Sequence, residues 1–274
     1  MANFLRSCSL PDFPSTAQRC DVAAQAAGQD NRWRPGAAGS MHNEVFASAA
    51  EGAGAGLTLA LARDAMQAAA DKRSMDDGRI MWVQDRGAAR LSGKLYRHGL
   101  PPQWRDRLIY VEAETCKDAL FALEEGLRCR ELACVIGEIA GNPRALTFTA
   151  SRRLSLVSER YGVPLWLVRL NARPDLSSAR MRWSVKSDRS LASLWDRQAP
   201  GIPSWKAELF RARSYAPGAW NLYEDGGHLR QSMRKQSQTG AKPQMVGNAF
   251  VSRRLVGAGA IRNQAQPDLL KAAG

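Results

Sequence analysis

Four short apolar runs, Ile80–Val83, Leu108–Val111, Leu132–Ile136 and Val163–Val168, recur between stretches of helical spacing, and they restrict the fold more than any other feature of the chain. A run that is apolar at every position is buried on both faces, which is the condition of a strand in a parallel sheet covered by helices. The intervening segments supply those helices. Thr115 with Asp118 forms a capping box that opens a helix to about Arg128, with Cys116, Leu120, Leu123 and Leu127 on one side. Thr149 starts another, on which Leu154, Val157 and Tyr161 share a face. Strands alternating with helices at this spacing specify an α/β fold with a mostly parallel central sheet. Beyond Val168 the period changes. Arg180–Val185 alternates like a half-exposed strand, and Trp205–Arg213, a turn at Ala216–Gly218, and Ala219–Tyr223 read as a long terminal β-hairpin.

The stretch Glu44–Ala62 precedes the first of these runs. Residues 41–46 form a short strand, small residues and glycines follow, and Leu57–Ala70 is a helix. That is the layout of a phosphate-binding loop, which needs Gly-x-x-x-x-Gly-Lys-Ser/Thr so that backbone amides wrap the phosphates, the lysine neutralises them and the hydroxyl holds Mg²⁺. Gly56 and Thr58 stand where the second glycine and the hydroxyl belong, with Gly52 and Gly54 inside the loop. Glu51 replaces the first glycine and Leu57 replaces the lysine. Losing the cation and adding a carboxylate both oppose a triphosphate. The loop is a degenerate P-loop, and no bound cofactor is expected.

The formal charge of +13 points to an acidic partner, nucleic acid or protein. Residues 226–274 hold eight Lys/Arg against one Asp, whereas residues 1–40 hold four Arg against three Asp, so the basicity is largely a property of the tail. Residues 1–40 read as a flexible arm and 226–274 as a basic disordered tail. The five cysteines show no ligand spacing and read as reduced thiols, the three histidines are scattered, and no metal site is expected. No apolar run is long enough for a membrane helix and no signal segment opens the chain, so a cytoplasmic protein with no membrane partner is expected.

The order of elements resembles a RecA-type ATPase core, and within that superfamily the chain is similar to the ImuA family. These are RecA-like, SulA-related accessory proteins of damage-inducible translesion mutagenesis cassettes. The residues behind the resemblance are His42–Phe46, the Gly/Ala loop, Gly93–Tyr96, Ala119–Cys129, Leu146–Leu154, Ala179–Trp183 and Trp205–Ala212, spanning about 42–225. It implies a RecA-like domain with the degenerate P-loop over 41–225. It also locates three catalytic positions of active relatives: a water-activating Glu among Gln84, Asp85 and Arg86, a metal-coordinating Asp at Gly137 or Glu138, and a γ-phosphate-sensing Gln at Arg169 or Leu170. Catalysis needs clamp, metal and base together, so an inactive ATPase fold is expected.

As partners the resemblance implies a Y-family polymerase-like protein of the ImuB type, with RecA, an error-prone replicative-type polymerase and single-stranded DNA as further candidates. It places the protein at the nucleoid during DNA damage, in SOS-induced translesion synthesis. Candidate contacts to DNA or protein are Arg152 and Arg153 on a helix, Arg211 and Arg213 on the hairpin, and Arg234, Lys235, Arg253 and Arg254 in the tail. Against these stands a plain solvated face for the helix pair and a charged strand edge for the hairpin pair. Glu124 and Glu125 are adjacent on a helix and point apart, so they are structural. Trp104, Trp166, Trp183, Trp205 and Trp220 are expected in the core. A SulA-like inhibitor of cell division and a weak DNA-dependent ATPase are the competing functions.

Overall fold

A computed structural model describes residues 31–37, 39–69, 78–192, 196, 198–199 and 201–232. The described residues build one nine-stranded sheet in the order β3-β2-β4-β5-β1-β6-β7-β8-β9. The strands are β1 (His42–Ala47), β2 (Arg79–Asp85), β3 (Leu108–Ala113), β4 (Leu132–Ala140), β5 (Leu165–Leu170), β6 (Met181–Leu191), β7 (Ile202–Ala212), β8 (Gly218–Asp225) and β9 (His228–Gln231). Pairing is parallel from β3 through β6 and antiparallel from β6 to β9. The four apolar runs are β2 to β5, as their composition requires.

Neighbouring residues on a strand face opposite sides, and the two cores follow that period. Val45, Trp82, Ile136, Trp166 and Trp183 belong to one apolar cluster with the helix α1 (Ala53–Ala69). Val83, Val135, Leu165 and Leu167 belong to the other, with α4 (Cys116–Arg128) and α5 (Phe148–Tyr161). Short helices α2 (Arg86–Ser92) and α3 (Pro102–Arg105) lie between β2 and β3. Helix α4 starts at the expected capping box, Thr115 and Asp118 bonding each other's backbone amides. Asp85 caps α2, accepting from the Ala88 amide at 2.6 Å.

The structure corrects the sequence reading in four places. Helix α1 starts at Ala53 rather than Leu57. Strand β6 is buried over Met181, Arg182, Trp183 and Val185, because it is an interior strand between β1 and β7 rather than a half-exposed one. The fold begins before residue 41: Trp33 is 3% exposed and stacks edge-on against Trp183 at 4.9 Å and Trp220 at 5.5 Å. It also continues past residue 225. Gly226 and Gly227 both take positive φ, as a type I′ turn requires, and return the chain as β9, whose Leu229 is buried. The five tryptophans expected in the core are all buried. Residues 1–30 and 233–274, and with them the remaining arm and tail readings, lie outside the described residues.

Candidate functional site

Helix α1 begins inside the segment that a phosphate-binding loop would occupy. Glycine is a poor helix former, yet Gly54 and Gly56 are helical here because the helix packs close to the sheet. A Cβ on Gly54 would stand 2.8 Å from the Ala47 Cβ and 3.1 Å from Val168, and one on Gly56 would meet the Trp205 ring at 3.4 Å. The small residues therefore serve close packing. The Gly56 amide donates to the Gly52 carbonyl at 3.1 Å, so it is already engaged in the helix. Leu57 is fully buried in the core with Val45, Leu61 and Trp183. Glu51 accepts from the Ser187 amide at 2.7 Å, which ties the remaining loop to β6. Thr58 is buried, and its hydroxyl has no hydrogen-bond partner among the described residues.

The other positions that the RecA resemblance singles out are engaged in bonds within the fold. At the end of β2 the Gln84 amide donates to Glu138 at 2.8 Å and to the Gly93 carbonyl, while its oxygen accepts from the Leu95 amide and the Tyr110 hydroxyl. Glu138 on β4 also accepts from the Trp82 indole at 3.0 Å and from Ser92. Burial raises its pKa against the opposing effect of those donors. Asp85 is spent on its helix cap, and Arg86 pairs with Glu114. Arg169, on β5, is 1% exposed and stands with Arg182 around the fully buried Glu44. Arg182 meets Glu44 at 2.7 Å, Arg169 lies 3.8 Å from it, and Ser177 donates to it at 2.7 Å. Both guanidiniums also lie over the Phe46 ring, and both approach Asp175. Burial raises the Asp175 pKa, but the Arg169 charge together with hydrogen bonds from Arg169 and Asn142 outweighs it and holds the carboxyl below its ordinary value. Among the described residues no group of three or more His, Cys, Asp or Glu is placed to hold a metal ion.

The candidate contact arginines separate in the structure. Arg153 pairs with Glu124 at 2.6 Å, and Glu124 also pairs with Arg128, so Arg153 and both glutamates belong to a helix-to-helix brace between α4 and α5. Arg152, on the next position of α5, instead lines a cavity of about 490 Å³ with Arg211 and Arg213 from the end of β7. The sequence reading missed Arg180, which joins them from the loop before β6 and pairs with Glu159 at 2.6 Å. It also missed Phe148 and Leu156, which line the cavity from α5. The helical spacing of Phe148, Arg152, Leu156 and Glu159 was the available signal, since it puts all four on one side of α5. Behind them lies a hydroxyl ladder: Ser155 bonds His42 at 2.7 Å and Ser178 at 2.6 Å, and the Ser178 amide donates to Ser151. Burial, with Arg182 and Arg180 adding to it, lowers the His42 pKa to about 3 and keeps the imidazole neutral. Arg234, Lys235, Arg253 and Arg254 lie outside the described residues.

No family model matches the chain. Over 174 residues it is 32% identical to Protein ImuA of Caulobacter vibrioides, covering 59% of this chain and 67% of that protein. The ImuA protein of a second strain of that species gives the same figures. No described helix is long and apolar enough to cross a membrane.

Proposed function

The chain belongs to the ImuA family, and from that premise we propose that it acts as a non-hydrolysing RecA-like adaptor in damage-induced mutagenic DNA synthesis. The strand order β3-β2-β4-β5-β1-β6, with a helix following β1, supports the RecA-like reading. One observation carries the non-hydrolysing part. Helix α1 begins at Ala53 and uses the Gly56 amide internally, while Leu57 points into the core where a phosphate-facing lysine would be needed. The buried groups at Glu138 and Arg169 support the same reading, because each is already bonded within the fold. Its partner is a Y-family polymerase-like protein of the ImuB type, with RecA, an error-prone replicative-type polymerase and single-stranded DNA as further contacts. It works in the cytoplasm at damaged DNA.

Titration of the polymerase-like partner and of labelled single-stranded DNA against the full chain, each across a salt series, tests this reading. Partner binding is expected to persist at physiological salt, since it uses shaped and apolar surface. DNA binding is expected to fall steeply with salt, with a slope of about 0.7 per phosphate contact on single strands, and to fall further on removal of residues 233–274. Phosphate release from ATP stimulated by single-stranded DNA would overturn the non-hydrolysing reading. Tight, salt-resistant DNA binding without any protein partner would overturn the adaptor.

A further inference from the structure

The cavity between α5 and the end of β7 has no role in the nucleotide-site remnant, and its composition is uneven. Of its four arginines only Arg180 has a carboxylate partner among the described residues, Glu159. Arg152, Arg211 and Arg213 are exposed and engage in no ion pair among those residues. Three uncompensated guanidiniums around one concave site favour an occupant carrying negative charge, and their planar forks favour carboxylate or phosphate oxygens.

The rest of the wall chooses between these. Phe148 is 47% exposed and Leu156 54% exposed, and Ala179 and Ala212 complete an apolar side. A nucleic-acid backbone leaves such surface wet, whereas an apolar anchor between charged flanks is the anatomy of a peptide interface, where aromatic residues and arginine are enriched. About 490 Å³ is within the size range of ligand pockets and is enough for one large side chain and its neighbours. The Ser155–Ser178 ladder, anchored on His42 and Ser151, fixes the floor in advance and lowers the ordering cost of binding.

The chain's own remaining segments do not suit the site. Residues 233–274 carry seven Lys/Arg and one Asp, and residues 1–30 carry Asp12, Asp21 and Asp30 scattered among two arginines. A second copy brings another net +13. We propose that the cavity docks an acidic peptide segment of a partner protein. An apolar side chain of that segment seats against Phe148 and Leu156, and its flanking carboxylates meet Arg152, Arg211 and Arg213. The proposal rests on the adaptor reading for the existence of a partner, but the two fail separately.

Panning the full-length chain against a displayed library of random peptides, then titrating the enriched peptides by fluorescence anisotropy near physiological salt, tests it. Enrichment of peptides with clustered Asp or Glu around one aromatic or aliphatic residue is expected. The triple variant Arg152→Glu, Arg211→Glu, Arg213→Glu should weaken them by roughly a hundredfold or more, and Leu156→Ala by roughly tenfold. Peptides with Lys in place of the acids should bind the triple variant and not the native chain. The three arginines are exposed, so an unchanged melting temperature is expected; if reversal unfolds the chain, the triple alanine variant replaces it. Enrichment without acidic residues, or equal binding to the variant, would overturn the site. So would loss of single-stranded DNA binding in the triple variant when no peptide is retained. Undiminished binding of the polymerase-like partner to the triple variant would remove the site and leave the adaptor standing. Peptide binding intact with no such partner would do the reverse.

Discussion

Leu57→Lys restores the lysine of the phosphate-binding motif, and the structure gives the result. Leu57 is fully buried in the same core cluster as Val45, Leu61 and Trp183. Removing a leucine from such a site forfeits about 1.5–3 kcal/mol of burial. A lysine confined there loses roughly 3 pKa units, and at about 1.36 kcal/mol each that adds ~4 kcal/mol. The total of ~5–7 kcal/mol compares with a typical whole-domain stability of 5–15 kcal/mol. At ~2–4 °C per kcal/mol for a chain of this size, the melting temperature should fall by roughly 10–28 °C. Leu57→Met, which keeps volume and apolarity, should cost less than about 1.5 kcal/mol. Differential scanning fluorimetry with and without millimolar Mg-ATP is the assay. A nucleotide held at a hundred times its Kd would add ~2.7 kcal/mol, yet neither the native chain nor Leu57→Lys should shift. A Leu57→Lys protein that melts within a few degrees of the native chain and rises by several more with Mg-ATP would refute the argument, because it would place residue 57 in a loop facing phosphate.

Glu44→Gln leaves the Arg169 and Arg182 guanidiniums buried with only the half-exposed Asp175 as an acid, and urea unfolding should show a loss of about 3–5 kcal/mol; a loss below ~1 kcal/mol would mean the charges reach water. Trp33→Ala should cost about 3–5 kcal/mol, and deleting residues 1–40 should cost at least as much, since Trp33 fills the space between Trp183 and Trp220; an unchanged urea midpoint would return that segment to the status of an appendage. Asp175 has its pKa lowered in the folded chain, so the stability it contributes is present above its unfolded value of about 3.9 and is lost as pH falls through the lower folded value. Asp175→Asn should therefore lower stability at neutral pH and flatten the acid limb below about pH 4, as read by melting temperature against pH; an identical acid limb in both proteins would contradict the Arg169 pairing.

What the sequence disclosed follows from the range of the forces involved. A strand buried on both faces has to be apolar throughout, so β2 to β5 are visible as letters, and the Thr115–Asp118 box is local chemistry that marks the start of α4. The start of α1 was hidden because local propensity and tertiary packing disagree there. Glycine disfavours helix by about 1 kcal/mol, but only glycine lets the helix approach Ala47 and Val168. Trp33 was hidden for the opposite reason: one aromatic residue among small and polar ones has no period, and its partners are far along the chain. The Gly226–Gly227 pair was the available turn signal, yet residues from 226 on read as tail because β9 is too short to register by pattern. The arginine cavity was half legible. Residue type singled out Arg152, Arg211 and Arg213, while their convergence depends on the pairing of β6 with β7 and the position of α5, which no short window contains.

The buried charges are held in closed networks, and each depends on all of its members. Replacing Arg169 by the glutamine of an active relative would leave Glu44 dependent on Arg182 and Ser177 alone, and would unpair Asp175 from its nearer arginine. Replacing Glu138 would strand the Trp82 indole and leave the Gln84 amide only the Gly93 carbonyl, and Gln84 is in turn fixed by Tyr110 and Leu95. Gln84 and Glu138 share one buried network and Arg169 belongs to another with Glu44 and Arg182, and a half-satisfied buried network is worse than an apolar core. The outer surface is under no such coupling. The side chains of Arg152, Arg211 and Arg213 are exposed and make no ion pair among the described residues. A sheet whose buried charges are paired within the fold, carrying an exposed basic cavity at one end, is suited to recognition by shape and charge, because binding there leaves the internal networks intact.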